Sequence, residues 1–172
     1  YGENQGYIAD FVENIFKKKF KDNVYQYEES EILKNQEILF EHLQTLSFFE
    51  KEKLILINRV TEKIRDIIEQ ISENEIDDIH IVLISTVLEK KSKLRVFFEK
   101  SKKFVCIPFY KDNDQTLINL VTTFFREKKI SVSQQVINLI IRKSMNDRRN
   151  LKNELHKIEV YALNKKTITE EE

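Results

Sequence analysis

The chain of 172 residues carries 29 basic and 29 acidic side chains, and 41% of its residues are hydrophobic. This length suits one medium domain or two small ones, and the composition is that of a globular protein in water. No apolar stretch reaches the length of a membrane span, and the single cysteine, Cys106, excludes a disulfide within the chain. We therefore expect a cytoplasmic protein with no membrane contact.

The zero net charge hides an asymmetry along the chain. Residues 1–50 hold 5 basic and 10 acidic side chains, whereas residues 101–172 hold 14 and 9. A basic C-terminal part favours a contact with nucleic acid or with an acidic protein near that end. Ordinary solvated helix faces would give the same balance, so both interpretations stay open.

Helical and strand patterns alternate over the first two thirds of the chain. Apolar residues at helical spacing predict helices at 8–16, 32–46, 60–71 and 93–101. Short runs rich in β-branched residues predict strands at 23–27, 54–58, 79–85 and 104–108. This alternation is typical of a parallel sheet with helices on both faces.

The pattern changes after Pro108. Asp114 is a candidate N-cap for a helix, Ser131 with Gln134 fits a capping box, and Asn146 followed by Asp147 opens a third helix. We therefore predict an α/β domain over 1–110 and a small three-helix lid domain over 111–172.

An α/β domain followed by a small helical domain suggests the core of an AAA+ nucleotide-binding module. Such a module needs the phosphate loop G-x-x-x-x-G-K-[ST], whose backbone amides, lysine and hydroxyl hold phosphate and Mg²⁺. The corresponding sequence is YGENQGYIADF, in which Tyr7 and Ile8 follow Gly6 and acidic Glu3 would repel phosphate. We therefore do not expect ATP hydrolysis.

Other catalytic patterns are also missing from the sequence. The histidines at 42, 80 and 156 are widely spaced and form no metal-ligand pattern with Cys106. No Gly-rich nucleophile elbow and no Ser-His-Asp order is present. We expect no catalytic residues, no metal and no cofactor, so the sequence favours binding surfaces over an active site.

Two adjacent phenylalanines stand in a charged stretch, TLSFFEKEKLILIN, just before a predicted strand. Leaving a Phe side chain in water forfeits roughly 1.5–3 kcal/mol of burial free energy. An exposed pair, Phe48 and Phe49, would therefore suit a contact covered by a partner, with Glu50, Lys51 and Lys53 as a solvated rim. Alternatively, one or both rings pack onto the core of their own domain.

Five segments of the chain resemble, in order, the delta subunit family of bacterial DNA polymerase III. They are YGENQGYI, LSFFEKEKLILIN, VLEKKSKLRVFFEK, FREKKISVSQQVINLII and NDRRNLKNELHKIEVYALNKKTITEEE. The phosphate loop is missing where that family also lacks it. The resemblance implies a degenerate AAA+/P-loop-like domain with a parallel sheet, followed by a helical lid.

The resemblance also implies a function in DNA replication. A family member is a clamp-loader subunit that binds the sliding clamp and opens the ring without hydrolysing ATP, as part of the polymerase III holoenzyme, a nucleotidyltransferase. By register, the family's apolar clamp contact falls on Phe48 and Phe49, and Leu46 is a core residue or a flank of that contact. Partners implied are the sliding clamp, other loader subunits and, indirectly, DNA.

Two groups of basic residues are weaker candidates. Lys90, Lys91, Lys93 and Arg95 open a predicted helix, where they suit either a phosphate or DNA-backbone contact or a solvated face. Arg148 and Arg149 stand near the place where an active AAA+ protein holds a nucleotide sensor. Without a phosphate loop, we expect this pair to position the lid or to face a neighbouring subunit.

The resemblance implies a piece of a longer protein, namely the first two domains without the first strand and without the collar domain that assembles the loader. Two alternatives from other classes stay open. One is an ATP-binding AAA+ regulator with a divergent phosphate loop, and the other is a basic nucleic-acid-binding module.

Overall fold

The computed structural model describes residues 1–44, 52–73, 78–162 and 167–169. The chain divides into two compact units. The α/β unit comprises Tyr1–Glu3 and Ile8–Phe109, and the helical unit comprises Asn4–Tyr7 and Tyr110–Glu172. The predicted α/β class with a parallel sheet is confirmed.

The sheet of the α/β unit consists of β1 (Val24–Glu28), β2 (Lys53–Asn58) and β3 (Ile79–Leu83), in that order and all parallel. β2 is central, and its residues 54–57 are at most 1% exposed. A continuous apolar run such as LILI is what a strand covered on both faces requires.

Helices cover both faces of this sheet. They are α1 (Gln5–Phe11), continued by a π-helix (Val12–Lys17) and by α2 (Lys18–Phe20), then α3 (Glu29–Lys34), α4 (Glu37–Gln44), a 3-10 turn (Glu62–Ile64), α5 (Arg65–Glu73) and α6 (Lys93–Lys100). Successive residues of a strand point to opposite faces. Ile55 and Ile57 accordingly pack with Ile32, Leu39 and Ile64, whereas Leu54 and Leu56 pack with Ile8, Val12 and Phe20.

The helix predicted over 32–46 is two helices in the described part of the chain. Asn35 interrupts it with an extended backbone (φ −144°, ψ 95°). Its side chain then accepts a hydrogen bond from the Glu37 backbone N–H (3.1 Å), which begins α4. Asn side chains compete with the helical backbone in this way, and hydrophobic spacing alone does not reveal it.

The segment Phe104–Pro108, predicted as the last strand, forms no strand in the structure, so that prediction is wrong. A cavity of about 880 Å³, lined by β3 residues and by residues 103–107 and 109, adjoins this segment. Beyond it, the Gly2 N–H donates to Thr86 O (3.0 Å) and the Phe109 N–H donates to Tyr1 O (2.8 Å). A strand needs a neighbouring backbone to pair with, and the pairing seen here is short: the Tyr1 amino group donates to Ile107 O (3.0 Å), and Gly2 forms one isolated bridge with Phe109.

Gly2 is required by this pairing. Its φ of +142° belongs to a region that side chains rarely adopt, and an added Cβ would lie 2.1 Å from the Phe109 carbonyl oxygen.

The helical unit contains α7 (Asp114–Lys128), α8 (Gln134–Lys143) and α9 (Arg148–Tyr161). Its core includes Leu117, Val121, Phe125, Ile140, Leu151 and Leu155. A short parallel pair, β4 (Ser131–Val132) and β5 (Thr167–Ile168), was not predicted. Because Ser131 lies in β4, the N-cap of α8 is Ser133, whose hydroxyl accepts from the Val136 N–H (3.2 Å).

Candidate functional site

The predicted clamp contact, Leu46, Phe48 and Phe49, lies outside the described residues. The structure does describe the two ends of the connection that carries it. α4 ends at Gln44, and β2 begins at Lys53.

The β2 end of this connection is held by hydrogen bonds at two successive residues. The Asn23 side-chain amide donates to Glu52 O (3.1 Å), and the Lys53 N–H donates to Asp78 O (2.8 Å). On the surface, Lys19 pairs with the Glu52 carboxylate at 2.7 Å. The hydrogen bond from Lys19 lowers the pKa of Glu52 below its ordinary value. Glu52 is thus fixed by both its backbone and its side chain.

Lys53 is the unexpected residue here, because a lysine predicted as part of a solvated rim is only 1% exposed. Its ammonium donates to the His42 backbone carbonyl at 2.9 Å and lies 5.1 Å from the centre of the Tyr25 ring. The His42 ring in turn packs edge-on against Tyr25 and Tyr27. The sequence gives little signal for this, since Lys53 follows three charged residues.

The structure separates the basic cluster at α6 into two parts. Lys90, Lys91 and Lys93 are exposed. The Arg95 guanidinium instead donates to Glu99 (2.8 Å) and lies 5.0 Å from the centre of the Tyr1 ring. The hydrogen bond to Glu99 raises the pKa of Arg95 above its ordinary value.

The carboxyl ends of β2 and β3 are the place where parallel sheets commonly bind ligands. A cavity of about 450 Å³ lies there. Protein carboxylates occupy nearby donors: Glu62 accepts from the Lys93 N–H at the start of α6 (3.0 Å), and buried Glu29 accepts from the Thr61 N–H (2.7 Å) and hydroxyl. These donors are therefore not available to a phosphate in this arrangement.

In the helical unit, Arg148 at the start of α9 forms a bidentate pair with Asp112. The Nε–Oδ2 and Nη2–Oδ1 distances are 2.7 and 2.6 Å, and the two side chains are 12% and 5% exposed. Burial by itself raises the pKa of Asp112, but the hydrogen bonds from Arg148, Asn4 and Thr116 outweigh it and leave the pKa below its ordinary value. Asp112 is therefore held as a carboxylate.

The stretch Asn4–Tyr7 packs against this ion pair within the same unit. The Asn4 amide donates to Asp112 (2.8 Å), and the Arg148 guanidinium lies 4.2 Å from the centre of the Tyr7 ring. An added Cβ on Gly6 would lie 3.0 Å from the Arg149 backbone nitrogen. The residues that replace a phosphate loop are thus packed on the start of α9, and the sequence indicated Arg148 but gave no sign of Asp112 or Asn4 as its neighbours.

Two further properties concern the described residues only. They contain no group of three or more His, Cys, Asp or Glu side chains able to hold a metal ion. No helix in the described ranges is long and apolar enough to cross a membrane.

Residues 1–108 match the family model described as DNA polymerase III, delta subunit. A search of curated proteins gave no match. The fold is similar to that of the DNA clamp loader delta protein of Bacillus subtilis, with a TM-score of 0.58 and 12% sequence identity. The match covers 98% of this chain and 54% of that protein, so this chain spans about half of its length. Since the family model covers well over half of the residues of this chain, the chain belongs to the DNA polymerase III delta subunit family.

Proposed function

We propose that this chain is the clamp-binding part of a cytoplasmic clamp-loader subunit, which binds the sliding clamp and favours opening of the ring without hydrolysing ATP. The observation that carries the proposal is the family match over residues 1–108, because this span includes the apolar pair Phe48 and Phe49. The loader subunits that would join through a C-terminal collar belong to the same proposal.

In the proposed mechanism, Phe48 and Phe49 insert into the clamp, flanked by Leu46. Large aromatic side chains that a partner desolvates act as binding hot spots, and surrounding charges form a rim of small energetic weight. A ligand shifts a conformational equilibrium only by its differential affinity for the two states. The aromatic pair would therefore open the ring by binding more tightly to a clamp with a strained protomer interface.

The proposal assigns ATP hydrolysis to other subunits. It treats residues 1–110 as an AAA+-like domain lacking a phosphate loop and residues 111–172 as its lid. Two observations support this assignment: Tyr7 and Ile8 stand where a loop would need Lys and Ser/Thr, and Arg148 is bound to Asp112. Arg148 and Arg149 would then position the lid or meet a neighbouring subunit.

We also assign a minor DNA contact to Lys90, Lys91 and Lys93 in the assembled loader. Their exposure supports it, because solvated lysines attract phosphate without a specific geometry. Arg95 was predicted as part of this cluster. Because its guanidinium already contacts Glu99 and Tyr1, we expect Arg95 to contribute less to the DNA contact than the three lysines.

Calorimetric titration of the chain into a bacterial sliding clamp, without ATP, tests the main proposal. The double substitution Phe48→Ala, Phe49→Ala should weaken binding by at least ~2 kcal/mol, or about 30-fold, since it removes both hot-spot side chains. Ile15→Ala is the matched control, because Ile15 is an apolar side chain exposed on another element.

The control should bind like the wild type. A folded double variant with unchanged clamp affinity would refute the aromatic contact, and a wild-type chain that binds no clamp would contradict the proposed function itself.

A further inference from the structure

The Asp112 carboxylate is surrounded by donors from three parts of the helical unit. Its Oδ2 accepts from Arg148 Nε (2.7 Å) and from the Asn4 amide (2.8 Å). Its Oδ1 accepts from Arg148 Nη2 (2.6 Å), and the Thr116 hydroxyl, which also contacts the Asn113 carbonyl, lies 3.0 Å from it. The Asp112 side chain is only 5% exposed. Each carboxylate oxygen therefore has one charged and one neutral donor and little contact with water.

These donors are also held by contacts that do not involve the carboxylate. The Asn4 amide nitrogen donates to the Tyr110 carbonyl as well (3.1 Å), and the Asn4 amide oxygen accepts from the Tyr7 N–H (3.0 Å). The Arg148 guanidinium lies 4.2 Å from the centre of the Tyr7 ring, whose negative face attracts a cation. Thr116 lies in the first turn of α7. The donors are thus preorganised around the position of the carboxylate.

A donor set of this kind suits a small oxyanion. The guanidinium fork of an arginine matches two oxygens of one carboxylate or phosphate. Amide and hydroxyl donors satisfy the remaining lone pairs without adding charge. We call the three donor side chains, Asn4, Thr116 and Arg148, the oxyanion site. The anion in this site is a part of the chain itself, Asp112 from the segment before α7.

We propose that Asp112 acts as a tethered anionic ligand of the oxyanion site, so that the helical unit requires an anion there rather than this particular residue. A ligand attached to the chain has a high effective concentration. Free carboxylates and phosphates therefore do not displace it, and the unit keeps one structure whatever their concentration. The inference goes beyond the proposed function and does not depend on clamp binding. It assigns a class of ligand, small carboxylates, that binds once the tethered group is removed.

The variant Asp112→Ala tests the inference because it empties the oxyanion site. The change removes one carboxylate group, and formate has the two oxygens and the approximate size of that group. A ligand that binds only the folded state raises the folded fraction in proportion to its concentration above the dissociation constant. Formate at about ten times its dissociation constant should therefore slow hydrogen exchange of the α7 and α9 amides about tenfold.

Three controls separate a filled site from a general effect of salt. Sodium chloride at the same ionic strength is the reference, because it screens charges without offering a pair of oxygens. The wild type should exchange within about twofold in the two salts, because its site is already filled. Asp112→Ala combined with Arg148→Met should also exchange alike in both salts, because the guanidinium fork is missing.

Glu154→Ala is the matched control in the same unit. It also removes a carboxylate from an ion pair, but the partner, Lys157 at 2.7 Å, is 70% exposed. An exposed pair of this kind leaves no enclosed site when one partner is removed, so formate and chloride should again act alike.

Slower exchange in formate for Asp112→Ala, without it in the two control variants, would support the inference. Equal exchange of Asp112→Ala in formate and chloride would overturn it, and so would a formate effect of the same size in either control variant. If Asp112→Ala does not fold in chloride, circular dichroism replaces hydrogen exchange. Recovery of helix in formate then supports the inference, and its absence in both salts overturns it. A failure of the proposed function is distinguishable, because none of these measurements uses the clamp.

Discussion

The two units bury their cations in different ways. In the α/β unit, the contacts of the Lys53 ammonium include a backbone carbonyl and an aromatic ring, both of which are neutral. In the helical unit, the Arg148 guanidinium contacts the Asp112 carboxylate through two parallel hydrogen bonds. The two contacts named for Lys53 act through dipoles, whereas the contact of Arg148 neutralises one full charge with another.

This difference predicts different effects on stability when each contact is removed. Breaking a buried ion pair leaves an uncompensated charge inside the protein, which is strongly destabilising. Replacing a buried cation by an apolar side chain of similar shape removes the charge together with its desolvation penalty. The Arg148–Asp112 pair should therefore contribute more to the stability of its unit than the hydrogen bond from Lys53 to the His42 carbonyl contributes to the α/β unit.

The largest effect is expected for Asp112→Ala. This change strands the Arg148 guanidinium, which is 12% exposed, and should lower the free energy of unfolding of the helical unit by about 3–5 kcal/mol. Native-state hydrogen exchange of the α7 and α9 amides measures it, because that method reports each region separately. Lys53→Met should change the exchange of β2 amides by about 1 kcal/mol or less, since one hydrogen bond and one desolvation penalty disappear together.

Equal effects of these two substitutions would contradict the expected difference between Asp112 and Lys53. Arg148→Met together with Asp112→Ala is the internal control, because removing both charges should cost less than removing Asp112 alone.

A smaller loss is expected for Gly6→Ala. The new Cβ would lie 3.0 Å from the Arg149 nitrogen and 3.1 Å from the Arg148 Cβ, so α1 or the start of α9 must shift. Overpacking of this kind costs about 1–3 kcal/mol, measured by urea unfolding of the chain. Ala9→Ser, on the exposed side of α1, is the control and should stay within about 0.5 kcal/mol. A variant as stable as the wild type would show that the start of α9 can move away from an added Cβ at little cost.

The dependence of stability on pH gives a second test of the ion pair. The pKa of Asp112 is lowered in the folded protein, so folding gains stability from this carboxylate above the pKa of an unfolded aspartate, about 3.9. That contribution is lost as the pH falls from there through the folded pKa. Acid unfolding followed by α7 and α9 exchange should therefore be steeper in the wild type than in Asp112→Asn. Parallel curves of stability against pH for the two proteins would mean that the Asp112 carboxylate adds no pH-dependent stability.

The smallest expected effect is that of Mg-ATP on the melting temperature. Ligand present at 100 times its dissociation constant stabilises a protein by about 2.7 kcal/mol, which raises the melting temperature by several degrees. We expect a change of less than about 1 °C, because Gly6 supports α9 and Arg148 is engaged with Asp112. A clear rise would favour the alternative of an ATP-binding regulator.

DNA binding measured at a series of salt concentrations tests the remaining alternative, a basic nucleic-acid-binding module. An independent nucleic-acid-binding module would bind DNA with an affinity that falls steeply with salt. The exposed lysines 90, 91 and 93 should give weak binding at most in the isolated chain.

The sequence by itself determined β1, β2, β3 and most helices of the α/β unit, whereas the strand predicted at Phe104–Pro108 does not form. β2 and β3 were predictable because their apolar runs suit a strand buried on both faces, and the family was recognisable from short segments in a fixed order. Boundaries that depend on side-chain capping were less accessible, as Asn35 and Ser133 show. Such caps use hydrogen bonds that hydrophobic periodicity does not contain.

Only the tertiary structure decided which polar residues meet. Asp112 and Arg148 are 36 residues apart, and no local pattern announces their pairing, because an ion pair depends on where two helices begin in space. Lys53 was expected in a solvated rim, yet its ammonium is buried under the end of α4. A lysine is placed by the groups within reach of its long side chain, and folding brings those groups together from distant parts of the chain.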